Sequence, residues 1–139
     1  TSKSDKREYK CVNLPNKMRA ILISDSEADK SCAALNVNVG CSLDPKPFEG
    51  LAHFLEHMLF MGTEKYPSEN EYSEFIKDHG GYNNAFTSLT DTNYHFECSN
   101  EAFAEALDRF AQFFLSPLLG DSQTEREMNA VDSEYNMSL

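Results

Sequence analysis

Between Gly50 and Gly62 the sequence is apolar nearly all round: Leu51, Ala52, Phe54, Leu55, Met58, Leu59, Phe60 and Met61. Such a stretch predicts a buried helix over roughly 50–61, because a helix without a polar face has no side to turn to water. Three ionisable residues nevertheless interrupt it, His53, Glu56 and His57. A charge buried without a partner costs on the order of several kcal/mol, so the fold must bring partners to them. Residues at i and i+4 lie one above the other on a helix. The imidazoles of His53 and His57 therefore project the same way, with Glu56 beside them. Two imidazoles one turn apart suit zinc, whose Zn–N bonds are about 2.0–2.1 Å. The order His-x-x-Glu-His inverts the commoner zinc-protease motif. By itself it leaves two readings open, a catalytic zinc helix and a pair of histidines satisfied at a surface or in a core.

A hydrolytic zinc site takes a third protein ligand and keeps its fourth position for water. Glu127 and Glu134 stand seven residues apart near the end of the chain, with Ala130 and Val131 between them. Two helical turns separate them, so they share a face. That face is either turned inward or is a solvated acidic surface shared with Glu125 and Asp132, and the pattern supports both.

The chain of 139 residues suits one domain. At 40% apolar and 12% aromatic residues it is globular in composition, which excludes a disordered or collagen-like chain. No apolar run approaches the ~20 residues of a membrane-spanning helix. Residues 1–10 are polar and show no signal peptide, which points to the cytoplasm; the chain does not begin with Met. With 23 acidic against 12 basic residues it lacks the clustered Lys and Arg that bind phosphate backbones, so no nucleic-acid partner is expected. The four cysteines (Cys11, Cys32, Cys41, Cys98) form no C-x-x-C pair. They read as small core residues in a reducing compartment.

Strands are expected at Tyr9–Leu14, Met18–Ser24, Ser31–Gly40, Ala85–Thr87 and Asn93–Cys98, the last with Tyr94, Phe96 and Cys98 on one face. After the helix over 50–61, Ser68-x-x-Glu71 matches a capping box for a second helix, stopped by Gly80-Gly81. Asn100 is the expected N-cap of a third, striped by Phe103, Leu107, Phe110 and Phe114. Ser122-x-x-Glu125 matches another capping box and opens a fourth helix towards Leu139. This order argues an α+β fold, a mixed or antiparallel sheet packed with helices. Residues 1–8 are expected to form a flexible tail, and 9–139 to be the front part of a domain truncated at its C-terminal end.

From about Tyr9 onward the sequence resembles the inverted-motif zinc peptidases of the insulysin–pitrilysin family. The signature His53-x-x-Glu56-His57 is followed after 76 intervening residues by Glu134. Arg126-Glu127-x-x-Ala130-Val131-x-x-Glu134 is similar to the family's second motif helix. Gly50-Leu51-Ala52-His53, Met58-Leu59-Phe60, Tyr66-Pro67-x-x-Asn70-Glu71-Tyr72 and Asn84-Ala85-Phe86-Thr87 resemble its insulysin branch. The resemblance implies one Zn2+ per chain held by His53, His57 and Glu134, and Glu56 as general base towards the metal-activated water. It implies that Glu127 belongs to the catalytic machinery, orienting a ligand imidazole or steadying the site. It also implies an edge strand, Asn84, Ala85, Phe86 and Thr87, on which peptides lie, with Phe60 and Phe86 near side-chain pockets. Plain core packing of those two aromatics stays open.

The implied fold is the front part of the first of four related domains. The implied activity is zinc-dependent endopeptidase hydrolysis of short to medium peptides, for which this fragment alone would lack the second half of the enzyme. The expected partners are peptide substrates and the remaining domains of the same polypeptide, with homo-oligomerisation left open. The alternatives are a non-catalytic peptide-binding homologue and a subunit of the mitochondrial processing peptidase type. His79 and His95 are expected to be structural.

Overall fold

Strand β5 (Thr92–Ser99) organises the fold. Its side chains alternate strictly, with Thr92, Tyr94, Phe96 and Cys98 buried and the intervening residues half-buried, the period-2 signature of a central strand. In the computed structural model, which describes residues 2 and 4–137, β5 is flanked by two antiparallel neighbours. These are β3 (Lys30–Val37), in the register Leu35↔Tyr94, and β4 (Tyr82–Thr87), in the register Ala85↔Tyr94. β1 (Glu8–Asn13) and β2 (Arg19–Ser24) pair as a separate two-stranded ribbon. Ile21, Leu22 and Ile23 of that ribbon are exposed.

Helices cover the inner face of the β3–β5–β4 sheet. α2 (Glu71–Asp78) brings Tyr72 and Ile76 to it, and α3 (Phe103–Leu115) brings Ala106, Phe110 and Phe113. Their rings interlock edge to face, Tyr72 with Phe113 at 4.8 Å and Phe96 with Phe110 at 5.2 Å between centroids. Burying each such ring stabilises the fold by roughly 1.5–3 kcal/mol before the aromatic geometry adds its share. Gly81 permits the entry into β4, since a Cβ there would collide with the Glu97 carbonyl of β5.

The expected α+β class holds, and the differences have physical causes. The apolar helix α1 spans Leu51–Met58 and tightens afterwards, with Phe60 and Met61 amides bonding three residues back, until Gly62 turns the chain out at φ 100°. Its N-terminus is capped by the Asp44 carboxylate, which accepts from the Gly50 and Ala52 amides at 2.7 and 2.9 Å. α1 is not buried all round, for Leu51 and Leu55 are exposed, and Leu55 lines an apolar groove with Val37 and Phe114. Neither capping box forms. Glu71 turns away to Arg109 at 2.7 Å, a charge-assisted bond, and α4 (Asp121–Met137) starts one residue before Ser122. Asn100 opens a short 3₁₀ turn and bonds Ser31 and the Ala28 carbonyl instead of capping α3. The buried stripe of α3 is Ala106, Phe110 and Phe113, and Leu107 is exposed. Of the cysteines only Cys98 is a core residue; Cys11, Cys32 and Cys41 are exposed.

Candidate metal centre

α1 lies between the β4 edge and α4, and touches both. His53 and His57 stand one turn apart on it, their rings edge to face with centroids 4.9 Å apart and their Nε2 atoms 3.3 Å apart. Glu134 reaches in from α4, with Oε2 at 3.5 Å from His53 Nε2 and 3.6 Å from His57 Nε2. The three atoms form a nearly equilateral triangle. Ligands at tetrahedral angles around zinc, with bonds of about 2.0–2.1 Å, lie about 3.3–3.4 Å from one another. The residues present therefore fit that ion. Three lone-pair donors pointed at one spot also repel one another unless a cation sits among them, and two imidazoles with one carboxylate suit zinc.

His57 faces a second carboxylate with its other nitrogen, Nδ1 lying 3.2 Å from Glu127 Oε2. A proton on Nδ1 donated to Glu127 leaves the lone pair on Nε2, the atom turned to the triangle. The two carboxylates of α4 thus differ in setting: the side chain of Glu127 is 12% exposed and that of Glu134 48%. Arg126 flanks Glu127 and is held by Glu69 at 2.8 Å, which ties α4 to the loop before α2.

Glu56, from the same turn of α1, is buried and lines the groove beside the triangle. Its Oε2 accepts a hydrogen bond from the Thr87 hydroxyl at 2.5 Å. Burial, and secondarily the charge of Glu56, hold the Tyr94 hydroxyl above its ordinary pKa. The groove has a volume of about 530 Å³, with α1 and Glu134 on one side and residues 83–87 of β4 on the other.

β4 is an edge strand. The Ser88 amide donates to the Asp91 carbonyl, so 88 and 91 form a hydrogen-bonded pair, and antiparallel alternation makes Phe86 with Asn93 and Asn84 with His95 the next two. The N–H and C=O of Asn83, Ala85 and Thr87 consequently point away from β5, along the free edge. Phe86 and Asn84 are exposed, whereas Ala85 and Thr87 are half-buried. Phe60 lines the groove and also packs edge to face on Phe113 at 5.0 Å, so wall and core are one residue. His79 bonds the Phe75 carbonyl and His95 the Asn93 side chain, both away from the triangle. The Thr87–Glu56 bond, the Asp44 cap and the Arg126–Glu69 tie had no signal in the sequence, since each joins segments whose proximity only the fold creates.

A groove with two imidazoles one helical turn apart, a carboxylate closing their triangle and a buried carboxylate alongside defines a candidate metal-hydrolase centre. Comparison with known proteins agrees with that class. The sequence model for insulinase (peptidase family M16) matches residues 19–139. The chain is 56% identical over 137 residues to insulin-degrading enzyme-like 2 of Arabidopsis thaliana and 55% identical over 138 residues to the insulin-degrading enzyme of Homo sapiens. Each alignment covers 99% of this chain and 14% of the relative. The crystal structure of pitrilysin superposes with a TM-score of 0.93 at 44% identity, over 99% of this chain and 15% of that one. The chain belongs to the insulinase family, peptidase family M16, and spans about one-seventh of the relatives it matches.

Proposed function

We propose that this chain carries the zinc centre of a metalloendopeptidase whose whole polypeptide hydrolyses short to medium peptides. The convergence of His53, His57 and Glu134 on one point beside the buried Glu56 carries the reading. His53, His57 and Glu134 would hold one zinc ion per chain, which when bound supplies a Lewis acid for a peptide carbonyl and brings the pKa of water towards ~7. Glu56 takes a proton from the attacking water and returns it to the leaving amine, so no proton is gained or lost over the cycle. Glu127 holds His57 in the tautomer that presents Nε2. A peptide adds as a further strand to the free edge of β4, bonding the main chain of Asn83, Ala85 and Thr87. Such pairing accepts many sequences, since main-chain groups are common to all peptides. Phe60 and Phe86 flank that path as side-chain contacts.

Relatives named for degrading insulin and for processing a-factor support a polypeptide substrate. A non-catalytic peptide binder would have no need of Glu56 beside an intact trio. The substitution Glu56→Gln in the full-length polypeptide should leave one zinc per chain by elemental analysis. It should lower hydrolysis of an internally quenched peptide by about 10²–10⁴-fold, because an amide cannot take the proton. Near-normal turnover by that variant would refute the assignment.

A further inference from the structure

Glu56 sits in a buried position with one carboxylate oxygen taken. Its Oε2 accepts from Thr87 Oγ1, at 2.5 Å. Thr87 in turn lies 3.3 Å from Thr92 Oγ1, and Thr92, itself buried, donates to the Val39 carbonyl at 2.9 Å. A continuous row of polar atoms therefore runs from Glu56 through two hydroxyls to the backbone after β3. Thr87 is also the last residue of β4, and its own N–H and C=O lie on the free edge.

We infer that Thr87 is a positioning residue that couples peptide docking to the orientation of Glu56. The inference rests on the metallopeptidase reading above. Its side chain pins Oε2, so that Oε1 is the oxygen free to work in the groove. Its main chain is one of the groups a peptide pairs with when it adds to β4. Docking a strand there immobilises the same residue that holds the base. Without the hydroxyl, the carboxylate keeps its place on α1 but turns freely about its terminal torsions.

The test compares Thr87→Val, which keeps the shape and removes the donor, with Thr87→Ser, which keeps the donor, in the full-length polypeptide. Steady-state hydrolysis of an internally quenched peptide gives kcat and KM, elemental analysis gives zinc, and circular dichroism reports folding. Thr87→Val should lose about tenfold or more in kcat, with KM changed by less than about threefold and one zinc per chain retained. That size is expected from removing one hydrogen bond to a charged group. Thr87→Ser should recover most of the loss. Equal impairment of both variants would mean that keeping the hydroxyl does not restore function, so that the fit of the whole side chain rather than its donor carries the effect, and would overturn the inference. So would a Thr87→Val enzyme within twofold of the parent. If Thr87→Val fails to fold, Thr87→Ala against Thr87→Ser makes the same comparison. Glu56→Gln, measured alongside, separates the two failures. An active Glu56→Gln enzyme sinks the metallopeptidase reading, whereas an inactive one beside a fully active Thr87→Val enzyme sinks only the role of Thr87.

Discussion

Helix α4 supplies both Glu127 and Glu134, yet none of its described residues is buried, and α1 is its main neighbour. An isolated helix of 17 residues is marginal in water, so tertiary ties must hold this one. They include His57–Glu127, the approach of Glu134 to both histidines, Arg126–Glu69 and Gln123–Glu69. Exposed or half-exposed pairs of this kind contribute about 0–1 kcal/mol each. Zinc held by His53, His57 and Glu134 would join α4 to α1 through the ion. A ligand that binds only the docked arrangement, at a free concentration 100 times its Kd, stabilises it by about 2.7 kcal/mol, roughly a hundredfold in the opening equilibrium. Hydrogen exchange of the α4 amides, compared between zinc-loaded and chelator-stripped protein, should show about that hundredfold slowing. The β5 amides, which sit in the core, should change far less. Glu134→Ala should abolish the zinc dependence of α4 while the two histidines still bind the metal weakly. If α4 exchanged equally with and without zinc, while elemental analysis showed the metal bound, the coupling argued here would be wrong.

The ladder assignment in β4 makes two prolines differ. Ala85→Pro removes an N–H on the free edge and should lower kcat/KM by about tenfold or more with zinc retained, whereas Phe86→Pro removes a bond to Asn93 and should destabilise the sheet itself. Circular dichroism and peptide hydrolysis separate these outcomes, and undiminished cleavage by a folded Ala85→Pro enzyme would refute strand addition. A further prediction concerns acid. Lys65 first, and then the Tyr66 hydroxyl, hold the Asp108 carboxyl below its ordinary 3.8. Its contribution to stability is therefore complete above that value and is lost as pH falls through the lower folded one. Asp108→Asn should make the urea midpoint less pH-dependent below about pH 4, and parallel curves for variant and parent would contradict the assignment.

Local spacing was legible wherever the forces that decide it are local. The alternation in β5 and the i, i+4 histidines of α1 both come from backbone periodicity. Capping was misread at Glu71 for the opposite reason. At Glu71 the box competes with a partner 38 residues away, Arg109, whose charged bond is stronger than a cap. The stripe of α3 was set one position off because Phe113 and Phe114 are both apolar, and only their tertiary partners, Tyr72 and Phe60 on Phe113 and Tyr94 on Phe114, decide which is the more deeply buried. α1 was read as buried all round from its composition, and Leu51 and Leu55 are exposed because no described segment covers that side.

By itself the sequence determined an α+β chain with a two-histidine helix and a glutamate beside it, since these follow from hydrophobic period and helical pitch. Whether Glu127 and Glu134 faced inward was undecidable from their own helix, and only the resemblance to a known family chose a reading. The tertiary structure separates them, one against His57 Nδ1 and the other against both Nε2 atoms, because α4 crosses α1 at a particular height. It also joins Thr87 to Glu56 across 31 residues of sequence. No local pattern encodes such contacts. They exist because burying one aromatic core fixes β4 and α1 relative to one another, polar ties to α1 and to the loop before α2 set α4 against them, and side chains distant in sequence then meet at hydrogen-bonding distance.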